Sequence, residues 1–188
     1  TLRMIAGFET PDAGQVVLNG REITSLAPER RGIGMVFQDF ALFPHMTVAE
    51  NVRFGAKDGQ PATAGRMLEL VGLDGLGARF PDQMSGGQQQ RAALARSFAA
   101  SPSLILLDEP FSNLDPILRS ATRREIRRPL KSTGLGIGRV THDQEEALSF
   151  AAPIAVMDGG RVRQCGPPRE GDDRPLGPHG RSGRGRGG

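Results

Sequence analysis

Ser85-Gly86-Gly87-Gln88, followed after one helical stretch by Leu104-Ile105-Leu106-Leu107-Asp108-Glu109-Pro110, decides how the rest of this 188-residue sequence is read. A serine before two glycines can open a helix, where backbone N–H groups and the positive end of the helix dipole suit a phosphate. The second stretch is four aliphatic residues ending in two acids. An unbroken apolar run of that kind suits a strand buried on both faces of a parallel sheet. Carboxylates at the end of such a strand can handle a metal ion and a water molecule.

Working outward, the pattern alternates between strand and helix. Residues 1–6 are apolar at Leu2, Met4 and Ile5, with Gly7 as a helix terminator. Residues 15–18 and 21–23 are expected to pair about Asn19-Gly20, a hairpin turn. Residues 33–37 form another β-type run ending at Gln38. From Phe40 to Met84 the character becomes helical, with Thr47 and Glu50 spaced as a capping box and Met67, Leu68 and Val71 at helical spacing. A helix over 88–100 precedes the aliphatic strand. Another runs from Pro116 to about Lys131, then a weak strand at 137–140, a helix from Gln144, and a hairpin of 154–157 with 162–165. Alternation of this kind predicts an α/β fold with a parallel sheet.

Composition sets bounds. The chain is 37% hydrophobic and 24% charged, ordinary for a globular protein, with a net charge of +3 that does not by itself imply nucleic acid. No apolar run approaches the ~20 residues that cross a bilayer. One cysteine, Cys165, has no partner for an internal disulfide and reads as a small apolar residue in a terminal strand. Residues 166–188 hold eight Gly, four Pro and five Arg, a composition expected to stay disordered.

Together these motifs resemble the ATPase subunit of an ABC transporter over nearly all of residues 1–166. The implied fold is a P-loop NTPase (RecA-like) core, residues 1–39 and 96–165, with an inserted helical subdomain at 40–95 and a disordered tail at 166–188. Met35-Val36-Phe37-Gln38 resembles the Q-loop, whose glutamine ligates Mg²⁺ and contacts the attacking water. Ser85, Gly86, Gly87 and Gln88 resemble the signature that closes on ATP held by a second subunit. The resemblance assigns Mg²⁺ to Asp108 and polarisation of the water to Glu109. Asp115, in Ser112-Asn113-Leu114-Asp115, falls in the segment that signals across the dimer. His142, in Thr141-His142-Asp143, would donate a hydrogen bond to the γ-phosphate.

The stretch from Asp39 to Val52 most resembles bacterial importers for iron(III), polyamines, sulfate, phosphonates or sugars. The implied partners are two transmembrane permease subunits, a second copy of the ATPase subunit and, indirectly, a substrate-binding protein, with no nucleic acid. The implied location is the cytoplasmic face of the inner membrane. Phe40, Leu42 and Phe43 either form part of a groove for a permease helix or belong to a satellite core.

The resemblance also exposes departures. Phosphoryl transfer needs a cradle of N–H groups and a lysine, which the family supplies as G-x-x-x-x-G-K-[ST]. That motif would precede residues 1–6, so the sequence reads as N-terminally truncated, and these residues alone are expected to bind ATP negligibly. Pro129 late in a helix, and Gly134, Gly136 and Gly138 where β-branched residues are expected, point to a damaged or truncated gene product. The alternatives to an import ATPase are a non-catalytic remnant and a soluble non-transport ABC ATPase.

Overall fold

The computed structural model describes residues 1–57, 59–112, 114–143, 147 and 153–167. In chain order its elements are α1 (Leu2–Ala6), β1 (Val17–Leu18), β2 (Arg21–Glu22), β3 (Ile33–Val36), α2 (Val48–Gly55), α3 (Pro61–Leu70), α4 (Gly86–Ala99), β4 (Leu104–Asp108), α5 (Pro116–Ser132), β5 (Gly136–Val140), β6 (Ile154–Asp158) and β7 (Arg161–Gly166). Short 3-10 turns at Pro28–Arg30 and Pro81–Gln83 were not expected from the sequence. The chain divides into two units, Thr1–Val140 and Thr141–Gly188.

In the first unit β4 lies between β3 and β5 and is parallel to both. Ile105, Leu106 and Leu107 are fully buried, which accounts for the aliphatic run. Register pairs Val36 with Leu107 and Asp108 with Val140, so the three strands end together.

The smaller elements follow from local chemistry. Gly7 ends α1 in the left-handed conformation, and Arg31 caps that end from a distance. The buried Arg31 guanidinium donates to the carbonyls of Met4, Ile5, Thr24 and Leu26 at 2.6–2.9 Å. Asn19 and Gly20 both have positive φ, as a tight hairpin turn requires. β1 is shorter than expected because the Val16 N–H bonds the Thr24 hydroxyl instead of a strand partner.

The helices start where caps put them. Thr47 and Glu50 close the expected capping box on α2. α3 begins at Pro61, which suits a first turn. α4 begins at Gly86, two residues before the sequence expectation, because Ser85 caps it.

Two expected defects are absorbed by packing. α5 continues through the buried Pro129 to Ser132, whose hydroxyl donates to the Pro129 carbonyl. β5 forms despite its glycines, and a Cβ at Gly138 would lie 2.8 Å from Leu106 Cδ2. The β-branched residue expected there has no room; Leu106 fills the space.

In the second unit β6 and β7 form an antiparallel hairpin about Gly159 and Gly160, with a register shift between Val156 and Met157. Cys165 lies on β7 and is exposed. The helix expected from Gln144 and the tail from residue 168 lie outside the described residues, apart from Ala147, whose N–H donates to the Asp143 carbonyl. Among the described residues no helix is long and apolar enough to cross a membrane.

Candidate active site

Three of the expected site residues, Gln38, Asp108 and Glu109, lie at or just beyond the C-terminal ends of neighbouring strands of the parallel sheet. Gln38 follows β3 by two residues, and Asp108 ends β4, with Val36 and Leu107 in register between them. Ends of neighbouring parallel strands are where α/β sheets bind ligands. Gln38 is exposed; Asp108 and Glu109 are half-buried.

Glu109 is the most constrained of the three. Its φ is +44°, a left-handed conformation uncommon outside glycine. Its N–H donates to the Val140 carbonyl at 3.1 Å, closing the end of β5 onto it. Its carbonyl accepts from the Ser112 N–H at 3.2 Å and the Ser112 hydroxyl at 2.9 Å. Buried Pro110 and Phe111 anchor the turn below, with the Arg123 guanidinium 5.9 Å from the Phe111 ring centre. Backbone strain held by several independent contacts is characteristic of catalytic positions.

The amide oxygen of Gln38 and the carboxylate of Asp108 are hard oxygen donors. No group of three or more His, Cys, Asp or Glu able to hold a metal occurs among the described residues. A sparse oxygen pair of this sort suits Mg²⁺, which keeps several waters and takes its remaining ligands from substrate phosphates.

Ser85, Gly86, Gly87 and Gln88 are organised separately, at the start of α4. Ser85 Oγ accepts from the Gln88 N–H at 3.3 Å, and Gln88 Oε1 accepts from the Ser85 N–H at 3.0 Å. This reciprocal cap commits the Gln88 oxygen locally but leaves the serine its hydroxyl proton to donate. The glycines have a packing reason as well as a phosphate one. A Cβ at Gly86 would sit 2.8 Å from Leu114 Cδ2, and one at Gly87 would sit 2.5 Å from Thr122 Oγ1. The signature turn therefore abuts both the Leu114-Asp115 turn and the first half of α5.

Asp115 itself caps α5, its Oδ1 accepting from the Ile117 and Leu118 N–H groups at 3.1 and 3.0 Å. Sequence reading assigned it to signalling between sites; the observed contacts are those of a helix cap. His142 belongs to the second unit and is exposed.

Of the three residues read as either groove or satellite core, Phe40 is buried, as the core alternative expects. Leu42 and Phe43 are half-buried. Phe43 forms an aromatic cluster with exposed Phe54, at 4.8 Å and edge-on, and with His45 at 6.0 Å. Sequence reading missed Arg96, which reaches this segment from α4. Its signal was present: the only charged residue in the mostly apolar Ala92-Ala93-Leu94-Ala95-Arg96-Ser97-Phe98 must find partners.

The family model described as ABC transporter matches residues 1–112. The chain is 49% identical to a sulfate/thiosulfate import ATP-binding protein of Caulobacter vibrioides, covering 93% of this chain and 54% of that protein. It is 51% identical to a spermidine/putrescine import ATP-binding protein of Acidothermus cellulolyticus, covering 90% and 46%. It is 54% identical to an Fe(3+) ions import ATP-binding protein of Rhodococcus jostii, covering 90% and 51%. The chain thus spans about half the length of the curated relatives it matches. Among solved structures it resembles a dimeric ATP-binding cassette in a post-hydrolysis state bound to ADP and Pi. That match has a TM-score of 0.73 at 28% identity and covers 89% of this chain and 79% of the other.

Proposed function

Because the chain belongs to the ABC transporter family, we propose that it is the ATP-binding and ATP-hydrolysing part of an importer for a small solute. The observation that carries this reading is Glu109, strained and pinned beside Asp108 at the end of the central strand. Glu109 is the general base that orients and deprotonates the attacking water. Asp108 and Gln38 hold Mg²⁺, which when bound neutralises developing phosphate charge. The N–H groups of Gly86 and Gly87, with the Ser85 hydroxyl, receive the γ-phosphate of ATP held by a second copy of the chain. His142 contributes a hydrogen bond to the γ-phosphate, and Asp115 lies where the two copies communicate.

In this reading residues 1–39 and 96–165 are the ATPase core and 40–95 the helical lobe. The lobe faces a pair of permease subunits at the cytoplasmic side of the membrane. The relatives are named for sulfate, polyamine and iron(III) import at 49–54% identity, so identity alone does not single out the solute.

The test is Mg²⁺-dependent ATP hydrolysis by the complete gene product, wild type against Asp108→Asn. Hydrolysis in the wild type, lowered ~10²-fold or more in the variant, is expected for loss of the residue that holds the cation. Equal rates would refute the assignment.

A further inference from the structure

Arg96 lies on the last turn of α4 among fully buried neighbours, with Ala92, Ala93, Leu94, Ala95, Phe98 and Ala99 each at 5% exposure or less. A Cβ on Gly55 would collide with its backbone carbonyl, so the end of α2 lies directly on it. Burial pulls its pKa below the ordinary arginine value, and the guanidinium remains charged. A charge in such surroundings requires hydrogen-bond partners. It finds them in one short segment. Its Nη1 donates to the Ala41 carbonyl at 2.7 Å and its Nη2 to the Phe40 carbonyl at 3.1 Å, while the guanidinium lies 5.5 Å from the centre of the Phe43 ring.

The gripped segment is strained. Phe40 and Ala41 have φ of 61° and 45°, two consecutive left-handed residues without a glycine. Phe40 also closes a tight turn, its N–H donating to the Phe37 carbonyl at 3.0 Å. Gln38 and Asp39 are the two central residues of that turn. Arg96 therefore holds the residue that closes the turn presenting Gln38.

We propose that Arg96 is a positioning residue for Gln38, tying the Phe37–Phe40 turn to the far end of the helix that begins with the signature. α4 is 14 residues, a rod of roughly 21 Å. Its first turn carries Ser85 to Gln88 and its last carries Arg96, so movement of the signature end displaces Gln38. The role of Gln38 rests on the ATPase reading above; the grip of Arg96 on the turn does not.

Amide hydrogen exchange of the full chain without nucleotide tests this. Arg96→Met should speed exchange of the Phe40 amide about tenfold or more, since charged donors to strained carbonyls are among the stronger hydrogen bonds. Arg96→Lys, which keeps the charge but not the fork, should recover part of that protection. Arg91→Met, on the same helix but anchored to Val71, Gly72 and Glu125, should leave Phe40 unchanged, and the amides of residues 105–107 should stay protected in all three. If Arg96→Met does not fold, Arg96→Lys decides, with faster exchange at Phe40 alone as the supporting result. Unchanged exchange at Phe40, or acceleration spread equally through β4 with no recovery by lysine, would overturn the proposal. No nucleotide enters the measurement, so its failure leaves the ATPase reading to its own test.

Discussion

At the scale of single residues, Glu109 joins backbone geometry to chemistry. A left-handed non-glycine residue costs about 1–2 kcal/mol, and three backbone and hydroxyl contacts hold it there. Glu109→Gly removes that strain but adds glycine's entropy loss, roughly 0.5–1 kcal/mol. The variant is therefore expected to melt within a few degrees of wild type while losing hydrolysis, measured by calorimetry alongside an ATPase assay. A large loss of stability would mean that the side chain serves the fold rather than the reaction. Glu50 offers a pH-dependent counterpart. Hydrogen bonds from the Thr47 N–H and hydroxyl hold its carboxyl below the ordinary glutamate value. A depressed value means the contribution is present above the unfolded-state pKa and is lost as pH falls through the lowered folded value. Protection of the Glu50 and Asn51 amides should therefore decline in that acidic window. In Glu50→Gln that step should vanish; its persistence would assign it to another group.

At the scale of elements, the crossing of α4 on α5 is set by a glycine. The Cβ of Gly87→Ala would meet Thr122 Oγ1 at 2.5 Å, an overpacking worth about 1–3 kcal/mol. Thr122 is buried and its hydroxyl is unpartnered, so Thr122→Ala removes the obstacle at little loss. The double variant also gains helix propensity, about 1 kcal/mol for glycine to alanine. It is expected to be at least as stable as wild type in urea denaturation, although Gly87→Ala alone is less stable. Additive losses in the two single variants would show that the glycine is there for phosphate approach alone. The same principle explains why β5 tolerates Gly138: the missing side chain is supplied by Leu106 from the neighbouring strand. Sequence reading saw only the weak propensity of those glycines, because the atom that fills the gap lies 32 positions away.

At the scale of the whole molecule, what was legible in the sequence was what depends on near neighbours. The aliphatic strand at 104–107, the Asn19-Gly20 turn and the Thr47–Glu50 cap each carry their cause within a few residues, and each is found where expected. The α/β class followed from the alternation of such signals. The carbonyl partners of Arg31 and Arg96 were not legible, since they are as distant as Met4 and Phe40. For the site, residue types and order pointed to Gln38, Asp108 and Glu109, but the strain at Glu109 and the turn around Gln38 exist only in three dimensions.

In the dimer proposed above, carboxylates of one copy and the signature of another complete each ATP site. Mixing two inactive forms of the complete gene product, Glu109→Gln and Ser85→Arg, tests this most directly. In a head-to-tail dimer the mixed pair retains one site with both Glu109 and Ser85 intact. A 1:1 mixture should then regain roughly a quarter of the wild-type ATPase rate, although each variant alone is reduced ~10²-fold or more. A mixture no faster than its separate components would contradict the shared site.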